Sequence, residues 1–271
     1  MRLRVIGLAL VALLATGCAH NSTPMEPYDP YEDANRKVFN FNQGLDKYVL
    51  APTASAYTAV TPGFFRQGVD NFFDNASYPG TILNDFLQGK VKQGFQDTGR
   101  FIVNTTVGLL GFFDPASAIG LVENDEDFGQ TLATWGANSG PFLELPGLGP
   151  RYARHTADLP VATATNVLTY AVSSSVGWPL TVLYVINTRA MLDRAARIRA
   201  EAALDPYLFT RSAYMQYREQ KIYDGNPPTE DLYDDSFFDE LDEDAFFEEL
   251  EAEEAVEAEA AGEPTEPSSA Q

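Results

Sequence analysis

The side chains that carry most enzymatic chemistry are scarce in this 271-residue chain: two histidines, His20 and His155, and one cysteine, Cys18. His155 follows a glycine-rich stretch, with Ser139 upstream and Asp158 three residues on, so a Ser-His-Asp acyl-transfer set is conceivable. The serine, however, lies in GANSG (Gly136–Gly140), one place late for the G-x-S-x-G elbow, and no strand pattern precedes it. The plainer alternative is a surface histidine with a polar neighbour. ENDEDFG (Glu123–Gly129) gathers carboxylates but lacks the EF-hand spacing and its terminal Glu, so it reads as a solvated turn. With no phosphate-binding glycine loop and no Cys/His cluster, the residues point to no cofactor, no metal and no enzyme.

Cys18 has a different chemistry. MRLR supplies a positive start, VIGLALVALLA is an apolar run too short to anchor in a bilayer, and ATGCAH places small residues directly before the cysteine. This resembles the lipobox of bacterial lipoproteins, in which the thiol receives diacylglycerol, the signal is cut and the new amine is acylated. Leu14 stands one place earlier than the usual leucine, with Ala15 in its position. The expectation is a signal peptide over 1–17 and a lipid anchor on Cys18, the alternative being an ordinary secreted protein with a stray cysteine. Several acyl chains give stable membrane attachment. By analogy with lipoprotein sorting, Ala19 favours the outer membrane because aspartate is absent there.

The formal charge of −21 is unevenly spread: 19 of the 39 acidic residues lie from Asp224 onward, leaving 20 against 18 Lys and Arg. The body is nearly neutral and has no basic patch, which excludes nucleic acid as a partner. Arg189, Arg194, Arg197 and Arg199 fall on one predicted helix beside Asp193 and Glu201 and read as an ordinary solvated face.

The elements come next. Residues 18–28 form a lipidated, Pro-containing tether. From Asp29 the pattern is helical: Asp29 suits an N-cap, Pro30 the first turn and Glu32 the capping-box place. Tyr31, Ala34, Val38, Phe41, Leu45 and Tyr48 are spaced 3, 4, 3, 4, 3, which outweighs the short Phe-Asn-Phe-Asn alternation of Phe39–Asn42. Phe64, Phe65, Val69, Phe72 and Phe73 make a second stripe, broken at Pro79-Gly80. A short helix then closes at Gly89, and Val91, Phe95, Phe101 and Ile102 begin the next. No run of β-branched residues with hairpin turns is present, so the fold class is all-α.

Two stretches are unusually apolar. Phe101–Val122 carries only Asp114, and Leu159–Thr188 carries no charge, yet Pro160, Ser173–Ser175, Gly177 and Pro179 interrupt it. A membrane span would be purer; a buried helix pair, or helices lying partly in lipid, both remain open. Between them, five glycines and three prolines from Gly129 to Pro150 make the strongest loop signal, either mobile or a static connector. Residues 226–271 form an acidic low-complexity tail, with a short amphipathic helix possible at 236–250. It is read as mostly disordered, or as docking on a protein partner.

DPYEDANRKVFNFNQGLD, NDFLQG, FIVNTTVGLLGFFDPA, FGQTLATWG, SGPFLELPGLGP, NTRAMLD and LDPYLFTRSAYMQYRE, in that order, resemble the MlaA/VacJ family of outer-membrane lipoproteins over residues 29–225. The resemblance implies a ring-like arrangement of amphipathic and interfacial helices embedded in the inner leaflet of the outer membrane, usually beside a trimeric porin. It implies removal of mislocalised phospholipid from the outer leaflet through a central channel, and delivery to a periplasmic carrier feeding an inner-membrane ABC transporter. The alternative is a structural or adaptor lipoprotein that transports nothing. Channel or gating candidates are Asn35, Phe39, Asn40, Phe41 and Asn42, the amides edging a headgroup route. Hinge-loop candidates are Gly136, Gly140, Pro141, Gly147 and Gly149. Ala133, Asn138 and His155 depart from the family's usual glycines and aspartate.

Overall fold

The computed structural model describes residues 29–227. The expected signal peptide, Cys18, the tether to residue 28, and the tail from 228 with its 236–250 segment lie outside the described residues. Helix α1 (Glu32–Leu45) runs through a π-helical turn (Asp46–Leu50) directly into α2 (Ala51–Val60). α3 (Gly63–Leu87) and α4 (Val91–Thr106) pack together, followed by α5 (Pro115–Ala118) and α6 (Phe128–Thr134). Strands β1 (Phe142–Leu145) and β2 (Gly149–Tyr152) form an antiparallel hairpin with Phe142 opposite Tyr152 and Leu145 opposite Gly149. Six helices complete the described chain: α7 (Ala153–Thr156), α8 (Asp158–Thr165), α9 (Leu168–Ala171), α10 (Ser174–Met191), α11 (Asp193–Ala202) and α12 (Pro206–Ile222). The fold is helical as expected, and the hairpin is an addition to it.

Three local expectations are corrected. Asp29 does not cap α1, which starts at Glu32 with no side-chain cap bond. Its carboxylate instead accepts from Asn35 Nδ2 at 2.8 Å, the Tyr207 hydroxyl and Arg211 Nη1 at 3.1 Å, so long-range partners outcompete a local one. Pro79-Gly80 does not break the second stripe: α3 continues through both residues to Leu87 because its 68–85 face is packed against α4 and α8. The helix does stop at Gly89, in a Schellman arrangement. Lys90 N–H donates to Asp85 O at 2.9 Å and Gly89 N–H to Phe86 O at 3.1 Å, with Gly89 at φ +79°. Finally, Arg189 belongs to α10 and the other three arginines to α11. Arg189 is not solvated; it pairs with Asp46 in the π turn.

The helical periods are right, but on α1 and α4 the faces are reversed, whereas Val69 and Phe73 of the second stripe, on α3, are buried. Along α1 and the π turn the apolar stripe looks outward, with Phe41 60% and Tyr48 74% exposed, while Asn35 and Phe39 are buried. On α4, Val91, Phe95 and Ile102 are exposed while Gly94, Asp97, Arg100 and Asn104 are buried. Among the described residues, fourteen polar or charged side chains are buried against ten apolar ones, and thirty-six large apolar or aromatic side chains are exposed. That inverts the usual distribution. The charge-free stretch follows the same rule: Tyr170 and Trp178 are open, and α10 buries only Asn187, which overturns the buried-helix-pair reading. No helix of the described residues is long and apolar enough to cross a membrane.

Such an interior holds only if its polar groups find partners. Between α3 and α4, fully enclosed Asp85 and Asp97 are hydrogen-bonded to each other. Two carboxyls can share that bond only if one keeps a proton. Asp97 accepts from the Tyr78 hydroxyl (2.8 Å) and from Asn124 Nδ2 (3.1 Å to each oxygen). Asp85 accepts only from Gln93 at 2.8 Å, and its Oδ2 has no donor. Burial, then Asp97, and more weakly Glu126, push Asp85 above the ordinary carboxylate range, against the Gln93 bond. Folded Asp85 therefore keeps a proton that the unfolded chain releases near pH 4, so this pair's contribution declines as pH rises above that value. Asp85→Asn supplies Oδ1 to Gln93 and Nδ2 to Asp97 without the proton. Its thermal midpoint should gain on wild type between about pH 5 and pH 8; parallel pH curves by circular dichroism would remove the shared proton.

Candidate functional site: two clefts and a stapled hairpin

A cleft of about 440 Å³ opens between α1, the hairpin, the end of α10, α11 and α12. Its walls are mostly apolar, including Phe39, Leu192 and Phe209. Asn42, Glu144 and Arg199 are polar points on them. A second cleft, about 540 Å³, lies between α3 and the broken segment of α8, α9 and α10. Both sizes suit a ligand much larger than water.

The hairpin is shaped by its glycines and held by α1. Leu148 N–H closes the turn on Leu145 O at 3.2 Å. Pro146 takes the second place and Gly147, at φ +71°, the third, which is the type II signature. Asn35 and Asn42 are two helical turns apart and meet β1 like a neighbouring strand. Asn35 accepts from Glu144 N–H at 2.9 Å and donates to Phe142 O at 3.0 Å. Asn42 accepts from Gly147 N–H at 2.8 Å, and donates to Leu145 O at 3.0 Å and to Glu144 Oε1 at 2.8 Å. Beneath these bonds, Phe142 is almost fully enclosed and meets Tyr152, Tyr207 and Tyr214 edge-on at centroid distances of 6.0, 6.1 and 6.4 Å.

The candidate residues therefore separate. Phe39, Asn42, Gly147 and Gly149 share the first cleft. Asn35 lies behind it, buried and committed to β1 and Asp29. Asn40 is exposed and borders a shallower recess beside Asp205 and Tyr207, and Phe41 is on the outer apolar face. Gly136 (φ +86°) has open space around it, whereas at Gly140 (φ +70°) a Cβ would come within 2.9 Å of Ala153 Cβ. Pro141 O accepts from Ala153 N–H at 3.1 Å, so this end of the loop is pinned.

His155 is neither a surface residue nor part of a triad. It is half-buried, its Nδ1 bonded to the Tyr214 hydroxyl and its Nε2 facing Arg218 at 3.4 Å and Asp127 at 3.6 Å. Burial, then the Arg218 charge, lowers its pKa to about 4, so the ring is neutral at pH 7. Asp158 accepts instead from Phe128 N–H at 3.0 Å. The acidic turn is solvated only at Glu123 and Asp125: Glu126 is buried and receives Lys90, Gln93 and Gln130 at 2.8, 2.9 and 2.6 Å. Asp127 caps α6 in a capping box with Gln130. Burial opposes its charge, yet the hydrogen bonds and field of Arg218 hold it down at about 2. No group of three potential ligands for a metal occurs among the described residues.

Sequence reasoning missed Glu144, Arg199, Arg218 and the tyrosines of α12. Arg199 donates to Gln43 at 3.1 Å beside the first cleft. Glu144 is raised by burial, against the Asn42 bond and the Arg199 field, and its Oε2 is unpartnered. No spacing rule joins Glu144 to Asn42 across 102 residues.

The family model described as MlaA lipoprotein matches residues 27–221. A protein of Escherichia coli (strain K12) named intermembrane phospholipid transport system lipoprotein MlaA is 36% identical over 252 residues, covering 87% of this chain and 97% of that protein. Its namesake from Haemophilus influenzae is 32% identical, covering 83% and 93%. An uncharacterized protein of Rickettsia conorii is 34% identical over 207 residues, 76% of this chain and 82% of its own length. A solved structure described as the structural basis for maintenance of bacterial outer membrane lipid asymmetry aligns with a TM-score of 0.63 at 32% identity, covering 73% of this chain and 99% of that one.

Asn35→Ala should free Glu144 N–H and Phe142 C=O together. The expected loss is about 2–4 kcal/mol, from two backbone groups left unmet. Amide exchange at Glu144 and Gly147 should accelerate ahead of the α3–α4 pair. Uniform acceleration throughout the chain would mean the amide is not a hairpin staple.

Proposed function

The chain belongs to the MlaA lipoprotein family, and from that premise we propose that it withdraws mislocalised phospholipid from the outer leaflet of the outer membrane and passes it to a periplasmic carrier. The fold is helical and the relatives are named as phospholipid-transport lipoproteins rather than enzymes. The finer reading is a protein acylated on Cys18 and embedded in one leaflet beside a trimeric porin. Its carrier feeds an inner-membrane ABC transporter, and the net flow maintains lipid asymmetry.

The observation that supports this most is the inverted polarity: an apolar exterior around an interior of paired polar groups, opened by amphipathic clefts. Such an exterior is unfavourable in water and at home in lipid. The turn after α4 exposes Val107, Leu109 and Leu110, with both leucines in the left-handed region at φ +55° and +61°. Backbone strain of that kind persists only where the surroundings impose it; here it presents two leucines outward. An adaptor lipoprotein would use the apolar exterior equally but would have no use for open clefts.

Outer-leaflet phospholipid, measured on intact cells, should rise when this chain is deleted and return to normal with wild type. Ala196→Trp, which adds bulk to the first cleft, should be acylated and localised normally yet fail to restore it. Full restoration by Ala196→Trp would put the route elsewhere, and no rise on deletion would leave the adaptor.

A further inference from the structure

The second cleft is chemically one-sided. Its lining contains one carboxylate, Asp74, and no Lys, Arg or His. Asp74 projects from α3 with an open face, and its carboxylate accepts no hydrogen bond from the described residues. Four of the hydroxyls around it have already given their protons to backbone carbonyls. Ser77 donates to Asp74 O at 3.0 Å, Thr163 to Leu159 O at 2.8 Å, Thr169 to Thr163 O at 2.7 Å and Thr181 to Gly177 O at 3.0 Å. What they turn to the cleft is therefore oxygen lone pairs. Phe73 and Tyr184 stand beside Asp74 as an edge-to-face pair 5.1 Å apart, and aromatic faces attract cations.

Apart from the Asn166 amide, the polar lining offers hydroxyl acceptors and a single negative charge between aromatic walls, which suits a ligand that brings N–H donors, a positive charge and an apolar remainder. We propose that this cleft binds the ammonium group of a phospholipid headgroup at Asp74, and so selects zwitterionic amine lipids over purely anionic ones. The inference rests on the transport reading above and adds the headgroup class to it.

The surroundings agree. Burial, then the fields of Asp70, Glu123 and Asp125, raise the Asp74 carboxyl to about 7. Asp70 already accepts from Asn187 Nδ2 at 3.4 Å. Arg100, which lines the small recess shared with Asp74, is consumed by Asp114 at 2.7 Å and Glu123 at 3.0 Å. Arg151 reaches Tyr184 only through its field and makes no ion pair with Asp74; its own Nε and Nη1 are unpartnered. An arriving ammonium would relieve a site rich in acids, and an anionic headgroup would add to the repulsion.

The test uses the full acylated chain in detergent, titrated with phosphatidylethanolamine or phosphatidylglycerol of identical acyl chains and read by native mass spectrometry. Wild type should bind the ethanolamine lipid roughly tenfold better, the ratio expected for one hydrogen-bonded charge pair. Asp74→Asn, which keeps the shape, should bring the ratio close to one while still binding both lipids. Soluble ethanolamine should compete in wild type alone; competition that leaves no lipid preference would mark an amine site unconnected with lipid and overturn the proposal. Equal affinities in wild type, or an unchanged preference in Asp74→Asn, would overturn it while leaving transport standing. Binding of neither lipid would bring down the transport reading and this inference together.

Discussion

The guanidinium of Arg100 is nearly enclosed, and a buried cation is strongly unfavourable unless its N–H groups are met. Asp114, Glu123, the Ser117 hydroxyl and Leu121 O meet it from the chain that follows α4. The partners dictate the path of residues 107–123: Asp114 must come back to α4, where Asn104 also donates to it at 2.9 Å, and in doing so it caps α5. Arg218 does the same for the other end of the fold by holding Asp127, hence α6, against α12. Removing one partner from such a set leaves an uncompensated buried charge, which is far more costly than never having buried the pair. The charges specify this fold more than they stabilise it.

The same requirement explains the reach of the asparagines. Asn35, Asn42, Asn84, Asn104 and Asn187 each bond a group far from it in sequence or cap one nearby. An amide offers donors and an acceptor without charge, so it can close an interior network without the desolvation cost of an ion. Asn187 illustrates this: it receives the Tyr57 hydroxyl at 2.9 Å and donates to Asp70, joining α10 to α2 and α3. Where apolar side chains face outward, such amides take over the work that interlocking leucines do in an ordinary core.

The helices were legible because periodicity records which residues share a face. It does not record what that face meets. Tyr31, Phe41 and Tyr48 do share a side along α1 and the π turn, but the side is the exposed one. The signal for reversal was present in Asn35 and Asn42, which also share a side and include no charge. Amides bordering an aromatic stripe would sit at the edge of water in an ordinary protein, and charged residues would serve there as well. The hairpin was not legible, since four-residue strands give too little alternation, and only Pro146-Gly147 marked its turn. His155 and Glu126 were misplaced for one reason: polar residues were assigned to solvent, whereas this interior collects them. Cys18 and the acidic tail were read from sequence alone and rest on it.

The two clefts differ in a way that follows from this inversion. The first is bordered by Arg189 and Arg199 on one wall, with Asp46 and Glu144 near them, so opposite charges are matched across it. The second has hydroxyls, the Asn166 amide and one acid, with no cation. Asp74 keeps an open face toward that cleft, and no described residue donates to its carboxylate. It is retained at an electrostatic cost, because nearby Asp70 repels it. Arg100 is met by two carboxylates, and Arg218 by Asp127 and His155, whereas Asp74 is met by none of the described residues. An unpaired Asp74 in that setting is a group whose partner comes from outside the chain.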